Sequence, residues 1–455
     1  MSKSKAYRST EVKHVDLAGV IAKAIVGPLW VGADVGKNYI FVVVRFGDGS
    51  FERPWKVRNP AELVFLVALL KRLSQHQRLT VVMESTGTYG DPLRAELTLA
   101  GLPVERVSGK AASDHAETFD GVPSQHDGKD AAVIAELAAF GKSRPWPYRQ
   151  RTEEDAELAY WVGQIDDYQR VENYWTGKLE AHLARHWPEL TRRIGLTSVT
   201  LLSLMAHYGG PAALVGDEEA SRRLNQWGRG ALKKTTLDEI LASAGSTCGA
   251  AQNRFEVKAA QECATEALAA MRQVKAAKAR LEELGEKNEV IRRMSEAVGT
   301  VTACVLWVSL GDPANYHCGE AYRKAMGLNL KERSSGKYHG QLKITKRGPG
   351  VVRRWMYLAA LRMVQDAEVA DWYEAKKARD KGRGKGALVA VMRKLALALH
   401  ATGRGETFNP RRLFPGKPWR KQVDQAPAMA EVREAMQTAP TSTGGLFSVW
   451  PRAAN

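Results

Sequence analysis

The sequence predicts an α/β plus α protein: a mixed-sheet α/β domain, then long coiled-coil helices, then a mainly helical C-terminal domain. Three observations predict it. Strand-type runs crowd between residues 29 and 84 and then alternate with helical stretches. Apolar residues recur at steps of three and four along two runs of about thirty residues. Helical apolar pattern also persists through the most basic part of the chain, in WMYLAALRMV and ALVAVMRKLALALH. With 455 residues, 44% of them apolar, the chain can bury several cores, and wholesale disorder is excluded.

Residues 1–28 are polar and weakly patterned and read as an N-terminal extension. From 29 to 148 the elements follow in order. Leu29–Asp34 is a short buried run, Tyr39–Phe46 is β-branched and aromatic, and Phe51–Val57 follows the Gly47-Asp48-Gly49 turn. Asn59-Pro60 punctuates, and a helix runs through Leu73. Leu79–Glu84 is another buried strand, a helix follows Gly90, Val104–Val107 is a short strand, and a helix spans about Lys129 to Phe140. Three meander strands followed by helix–strand–helix–strand–helix is the order that ribonuclease-H-like folds use.

Pro145-Trp146-Pro147 closes that domain. Residues 149–293 form a helical, coiled-coil region. Its first seam is Trp161, Ile165, Tyr168, Trp175, Leu179 and Leu183, within Glu153–His186. Its second runs Val257, Ala260, Ala264, Ala267, Met271 and Val274, breaks at Lys278, and resumes at Leu281 and Leu284. Such seams suit pairing within one chain or between two copies. Residues 195–250, Gly/Ser-rich and mixed, read as an insertion of no assigned role. A third domain covers 294–405; its start, SEAVGTVTACVLWVSL, resembles a helix–hairpin–helix with Gly299 at the hairpin and Ala297 in place of a first Gly. Residues 406–455 form a basic, Pro/Gly-rich tail.

Net charge is +17, and it is concentrated: residues 331–420 hold 22 Lys+Arg against 7 Asp+Glu. Such a surplus marks a phosphate-binding surface. No apolar run approaches the roughly 20 residues of a membrane span, so no membrane partner is expected. The N-terminus lacks the apolar stretch of a secretory signal, and Cys248, Cys263, Cys304 and Cys318 show no paired spacing, which together fit a reducing cytoplasm.

Four carboxylates stand out. Asp34 ends one buried strand in GADVGK and Glu84 ends another in MESTG, where open α/β sheets place their chemistry. Asp127 and Asp130, in HDGKDA, share a helix face at i,i+3. Each alone is also an ordinary turn former, cap or dipole partner. Together they form a hard-oxygen set suited to Mg²⁺ and phosphoryl transfer. The first strand carries Asp-x-Gly rather than Asp-x-Glu, which favours junction-resolvase over proofreading-exonuclease chemistry. In the basic domain, Ser334-Ser335-Gly336 is ringed by Arg333, Lys337, Lys343, Lys346 and Arg347, with Arg353 and Arg354 on the following helix. Cations there would stabilise an attacking alkoxide and the charge on phosphate. Ser-Gly is also a common loop pair, and His339 reads as a surface histidine or a base.

The segments GADVGK, MESTGTYG, HDGKDAAVIA, AVGTVTACVLWVSLGDP, KAMGLNLKERSSGKYHGQLKITKRG and VVRRWMYLAALR, in this order, resemble the DEDD transposases of the insertion-sequence-110 type, related to Piv invertases. The resemblance covers roughly 29–190 and 290–402. It implies a RuvC-like domain holding Mg²⁺ through Asp34, Glu84, Asp127 and Asp130. It also implies a transposase domain whose serine nucleophile, Ser335 with Ser334 as fallback, forms a phosphoserine bond with DNA. It further implies donor and target DNA, a guide RNA from the element, and assembly as homodimer or homotetramer. Gln125-His126 departs from the Lys-Thr usual in that family. The residues leave two rivals: a metal-only RuvC-like structure-specific nuclease and a non-catalytic RNA- or DNA-binding scaffold.

Overall fold

The computed structural model describes residues 8–24, 27–84, 87–120, 126–332, 334–335, 338–340 and 342–415. The chain divides into two compact units, parted between Gln150 and Arg151.

The first unit contains β1 (Thr10–Glu11), a 3-10 turn (Val12–His14), α1 (Leu17–Lys23), β2 (Leu29–Val35), β3 (Tyr39–Arg45), β4 (Trp55–Arg58), α2 (Leu63–Ser74) and β5 (Leu79–Glu84). It continues with α3 (Asp91–Leu99), β6 (Val104–Val107), α4 (Gly109–Ala116), α5 (Asp127–Ala139) and β7 (Arg144–Pro145). Its seven strands lie in the order β1-β4-β3-β2-β5-β6-β7. The meander β2–β3–β4 is antiparallel, whereas β5 pairs with β2, and β6 with β5, in parallel. The result is a mixed sheet consistent with the ribonuclease-H-like arrangement expected from the element order. Strands β2, β3 and β5 are apolar on both faces (Val31, Val42, Val43, Val81 and Val82 are all buried) because helices cover both sides. One of those helices is α5. It lies so close that a Cβ on Gly32 would overlap the Ala131 carbonyl oxygen and sit 2.7 Å from the Ala135 nitrogen.

Two expectations are corrected here. The expected strand at Phe51–Val57 is shorter: β4 begins at Trp55, and Phe51 makes only an isolated bridge to Arg45. Pro54, which has no N–H to give a ladder, stands between them and accepts a hydrogen bond from the Thr10 N–H at 2.8 Å. The N-terminal stretch is also more than an extension. Strand β1 adds to the sheet edge beside β4, and Val12 and Val20 are buried in the unit's core.

The second unit opens with two 34-residue helices, α6 (Glu153–His186) and α12 (Arg254–Lys287). Thr152 caps the first, and a capping box of Asn253 and Glu256 starts the second. They pack antiparallel: Leu158, Val162 and Ile165 share a core with Ala277, Leu281 and Leu284, while Leu179 and Leu183 share one with Ala260, Ala264 and Ala267. The expected break at Lys278 does not occur, because Ala277 takes the buried position there. Between the two helices run α7 (Leu190–Arg193), α8 (Val199–Tyr208), α9 (Pro211–Val215), α10 (Ala220–Trp227) and α11 (Lys234–Gly245). They bury Leu201, Met205, Leu224 and Ile240 against the far end of the helix pair, so residues 195–250 are a helical cap.

The remainder is α13 (Glu289–Val298), α14 (Thr300–Leu310), a 3-10 turn (Pro313–Asn315), α15 (Gly319–Ala325), β8 (Leu330–Lys331), β9 (Ser334–Ser335), β10 (Tyr338–His339) and β11 (Lys343–Ile344). Then come α16 (Gly350–Met363), α17 (Ala367–Arg379), α18 (Gly384–Gly403) and α19 (Pro410–Leu413). Gly299 joins α13 to α14 with φ of 79°, the left-handed conformation expected of a hairpin glycine. The Arg362 guanidinium lies over it, 2.7 Å from where a Cβ would stand. Residues 416–455, most of the expected tail, lie outside the described residues. No helix among the described residues is long and apolar enough to cross a membrane.

Candidate active site

Strand β2 delivers Asp34 and strand β5 delivers Glu84 on the same side of the sheet's C-terminal edge, and the first turn of α5 supplies Asp127 and Asp130. Asp34, Glu84 and Asp130 are partly buried, while Asp127 is exposed. Asp34 is within electrostatic reach of the other three, and Asp130 within reach of Glu84 and Asp127. Burial, then Asp130, Asp127 and Glu84, push the Asp34 carboxyl up to about 6. Burial and Asp130 raise Glu84. Burial and Asp127 raise Asp130, against the lowering pull of Lys129 and His126. Among the described residues, no three of these side chains are drawn in far enough to hold a metal ion between them. Their chemistry nevertheless fits one: the donors are all carboxylate oxygens, and their mutual repulsion is what a divalent cation relieves.

Two supporting residues escaped the sequence reading. Lys129 is buried, with its ammonium 2.7 Å from Asp120. It is the cation set between the two α5 acids, and its place in Asp-Gly-Lys-Asp was the signal available. Gly109 opens α4 directly beneath Glu84; a Cβ there would collide with the Glu84 carboxylate.

In the second unit Ser334 and Ser335 are exposed on β9, which pairs antiparallel with β10, Ser335 opposite Tyr338. Arg333, Gly336 and Lys337 lie outside the described residues, as does Gln125. Strand β11 pairs with β8 so that Lys343 stands directly opposite Lys331. Like charges placed so oppose the pairing, and Lys331 joins the basic surface although the sequence reading passed over it. Lys346 has φ of 58°, and burial followed by Arg353, Lys331 and Lys343 lowers its ammonium pKa. Arg347 is exposed beside it. Arg353 and Arg354 lie inward of this surface, Arg353 near enough for its charge to act on Lys346. Arg353 is 8% exposed and donates to the carbonyls of Gly348 (2.5 Å) and Pro349 (3.3 Å). Arg354 pairs with Asp166 on α6. Both therefore brace the unit, because α16 turns that part of its face inward, where a guanidinium must find internal acceptors.

Residues 31–188 match the DEDD family of IS110, described as "Transposase". Residues 291–374 match the family described as "Transposase IS116/IS110/IS902 family". No curated protein sequence matches the chain. Among solved structures, RuvC of Thermus thermophilus in complex with a Holliday junction substrate is similar at 15% identity over 26% of this chain and 99% of its own, with a TM-score of 0.22. A second Thermus thermophilus RuvC structure matches at 16% identity over the same 26% and 99%, with a TM-score of 0.20. The two family matches fall in order, the first running through the first unit and on along α6, the second within the second unit, and together cover just over half of the residues: the chain belongs to the IS110 family of transposases.

Proposed function

We propose that this transposase excises and inserts its mobile element by serine attack on DNA, assisted by Mg²⁺ and directed by a structured RNA that pairs with donor and target. The observation that supports the cation site is the convergence of Asp34, Glu84 and Asp130 at one edge of the sheet, where burial first and neighbouring carboxylates second raise all three. Asp34, Glu84, Asp127 and Asp130 are the residues that would hold the cation. Bound there, it would neutralise phosphate charge and polarise the attacking and leaving oxygens.

Ser335 supplies the nucleophile, with Ser334 its fallback. A serine alcohol is weak at neutral pH, and Lys331, Lys343, Lys346 and Arg347, which precede and follow the segment closely in the chain, would supply the positive potential it needs. Arg333 and Lys337 flank it in sequence. As the Oγ–P bond forms, Oγ gives up its proton, one P–O bond to deoxyribose breaks, and the leaving oxygen takes up a proton to become a free hydroxyl. Attack by another strand's hydroxyl reverses these steps and rejoins DNA, so no outside energy source is required. Assembly as homodimer or homotetramer completes the reading, with the acids of one protomer serving the serine of another.

The test is incubation with labelled DNA and the element's flanking transcript, followed by denaturing separation. A covalent protein–DNA adduct is expected with the natural chain, absent in Ser335→Ala and at least 100-fold reduced in Asp34→Asn, the scale of losing a principal charge-stabilising group. Cleavage with no adduct in any variant would instead indicate a metal-only nuclease. Tight nucleic-acid binding without cleavage would indicate a scaffold.

A further inference from the structure

We propose that Asn59 is a positioning residue that latches together the two strand ends bearing Asp34 and Glu84, and so sets the spacing at which those carboxylates take a divalent cation. The inference rests on the acid site described above. The parallel ladder between β2 and β5 runs only as far as Ala33 opposite Met83. Asp34 pairs onward with Phe41 of β3, and Glu84 with Val107 of β6. The two acid-bearing ends are thus each tied to an outer neighbour, and the ladder between them stops one residue short of the carboxylates.

Asn59 spans that gap. It follows β4 directly, on the far side of β3 from β2. Its side-chain Nδ2 donates to the Gly36 carbonyl at 3.0 Å and to the Tyr89 carbonyl at 3.5 Å. Its backbone N–H donates to the Asn38 carbonyl at 2.9 Å. Gly36 lies two residues past Asp34 and Tyr89 five past Glu84, so one amide group links a point just beyond each strand. The Gly36 N–H closes onto the Tyr39 carbonyl at 2.9 Å, which makes the loop after β2 a tight reversal. Beside Tyr89, Gly90 is packed closely: a Cβ there would come within 2.9 Å of Met83 Cε and also meet Val35. Two carbonyl acceptors call for two donors on one atom, which the carboxamide NH₂ supplies and neither a carboxylate nor a hydroxyl can. Groups that orient metal ligands without touching the ion typically change affinity by 10- to 100-fold when removed.

The test titrates Mn²⁺ into the full chain and reads free ion by electron paramagnetic resonance, with thermal unfolding alongside. The natural chain should bind Mn²⁺ and Asp34→Asn should not; failure there overturns the acid-site reading on which the latch rests. With those two as expected, Asn59→Ala should raise the Mn²⁺ dissociation constant by roughly tenfold with an unfolding temperature close to that of the natural chain. Asn59→Asp is the sharper probe. It keeps the size, removes both donors and adds an anion near the cation. A latch predicts weaker binding, whereas a simple charge effect predicts tighter. Should either variant unfold, Asn59→Ser, which keeps a single short donor, takes its place with the same expectation. Mn²⁺ affinity within twofold of the natural chain in Asn59→Ala, tighter binding by Asn59→Asp, or a loss of unfolding temperature with unchanged affinity would overturn the proposal.

Discussion

At the scale of single residues, Asp34 has the most specific consequence. Its carboxyl stands near 6 in the fold against an ordinary value of 3.8. Between those values the folded chain keeps a proton that the unfolded chain has released. Stability therefore falls as pH rises from about 4 to about 6. Without divalent cation, Asp34→Asn should lose this fall: it should match the natural chain near pH 4 and exceed it at pH 7 in urea unfolding. Adding Mg²⁺ at pH 7 should stabilise the natural chain and leave the variant unmoved. If the natural chain shows no loss relative to the variant across that window, the elevation of Asp34 is refuted. Ser334 and Ser335 are both exposed, so burial does not choose between them. A Ser334→Ala chain that keeps part of its adduct-forming activity, beside a Ser335→Ala chain that folds and binds nucleic acid but forms none, is the expected pattern.

At the scale of elements, the acid site depends on how closely α5 is seated on β2. Gly32 has no space for a methyl group, since the Ala131 carbonyl and Ala135 nitrogen occupy it. Gly32→Ala should destabilise the first unit by about 1–3 kcal/mol, the range for overpacking, and shift α5 with its two acids. Thermal unfolding reads the first effect, and Mn²⁺ affinity the second. In the long helices, Leu281 is fully buried at the core that joins α6 and α12 to α13–α18. Leu281→Ala should cost about 2–5 kcal/mol, with the second unit's unfolding transition lowered and the first unit's unchanged. The bounds of α6 were legible to the residue because a Thr cap, three acids in the first turn and an apolar period that skips only one turn agree. Lys278 misled as a break because a long side chain on a helix flank looks, in one dimension, like an interruption of the seam that Ala277 continues.

For the molecule as a whole, the basic surplus of 331–420 should make nucleic-acid affinity fall steeply with salt, at a slope near −0.9 for each phosphate neutralised. Charge reversal at Lys346 and Arg347 should weaken binding about equally for all sequences and flatten that slope by roughly one to two. A flat salt response in the natural chain would exclude phosphate gripping by this domain. The acids belong to the first unit and the serine to the second. If a working site draws them from different protomers, a mixture of Asp34→Asn and Ser335→Ala chains should recover part of the adduct that each lacks alone. No recovery, with co-assembly confirmed, would assign both halves to one chain.

The sequence by itself determined the order of the five main strands and of the helices α2, α3 and α5 between and after them, the strand ends that carry Asp34 and Glu84, and the i,i+3 placing of Asp127 and Asp130. These are local properties: periodicity, caps and turn residues act over a few positions. It also carried enough family pattern, across two separated stretches, to name the kind of enzyme. What only the tertiary structure decided was non-local. The pairing of Thr10–Glu11 with β4 depends on an edge formed some 45 residues away. The face that α16 presents inward, and so the engagement of Arg353 and Arg354, depends on what packs against it. The elevation of Asp34 depends first on its burial in the fold and then on three acids brought from residues 84 to 130, because both burial and Coulomb energy follow distance in space and not separation along the chain.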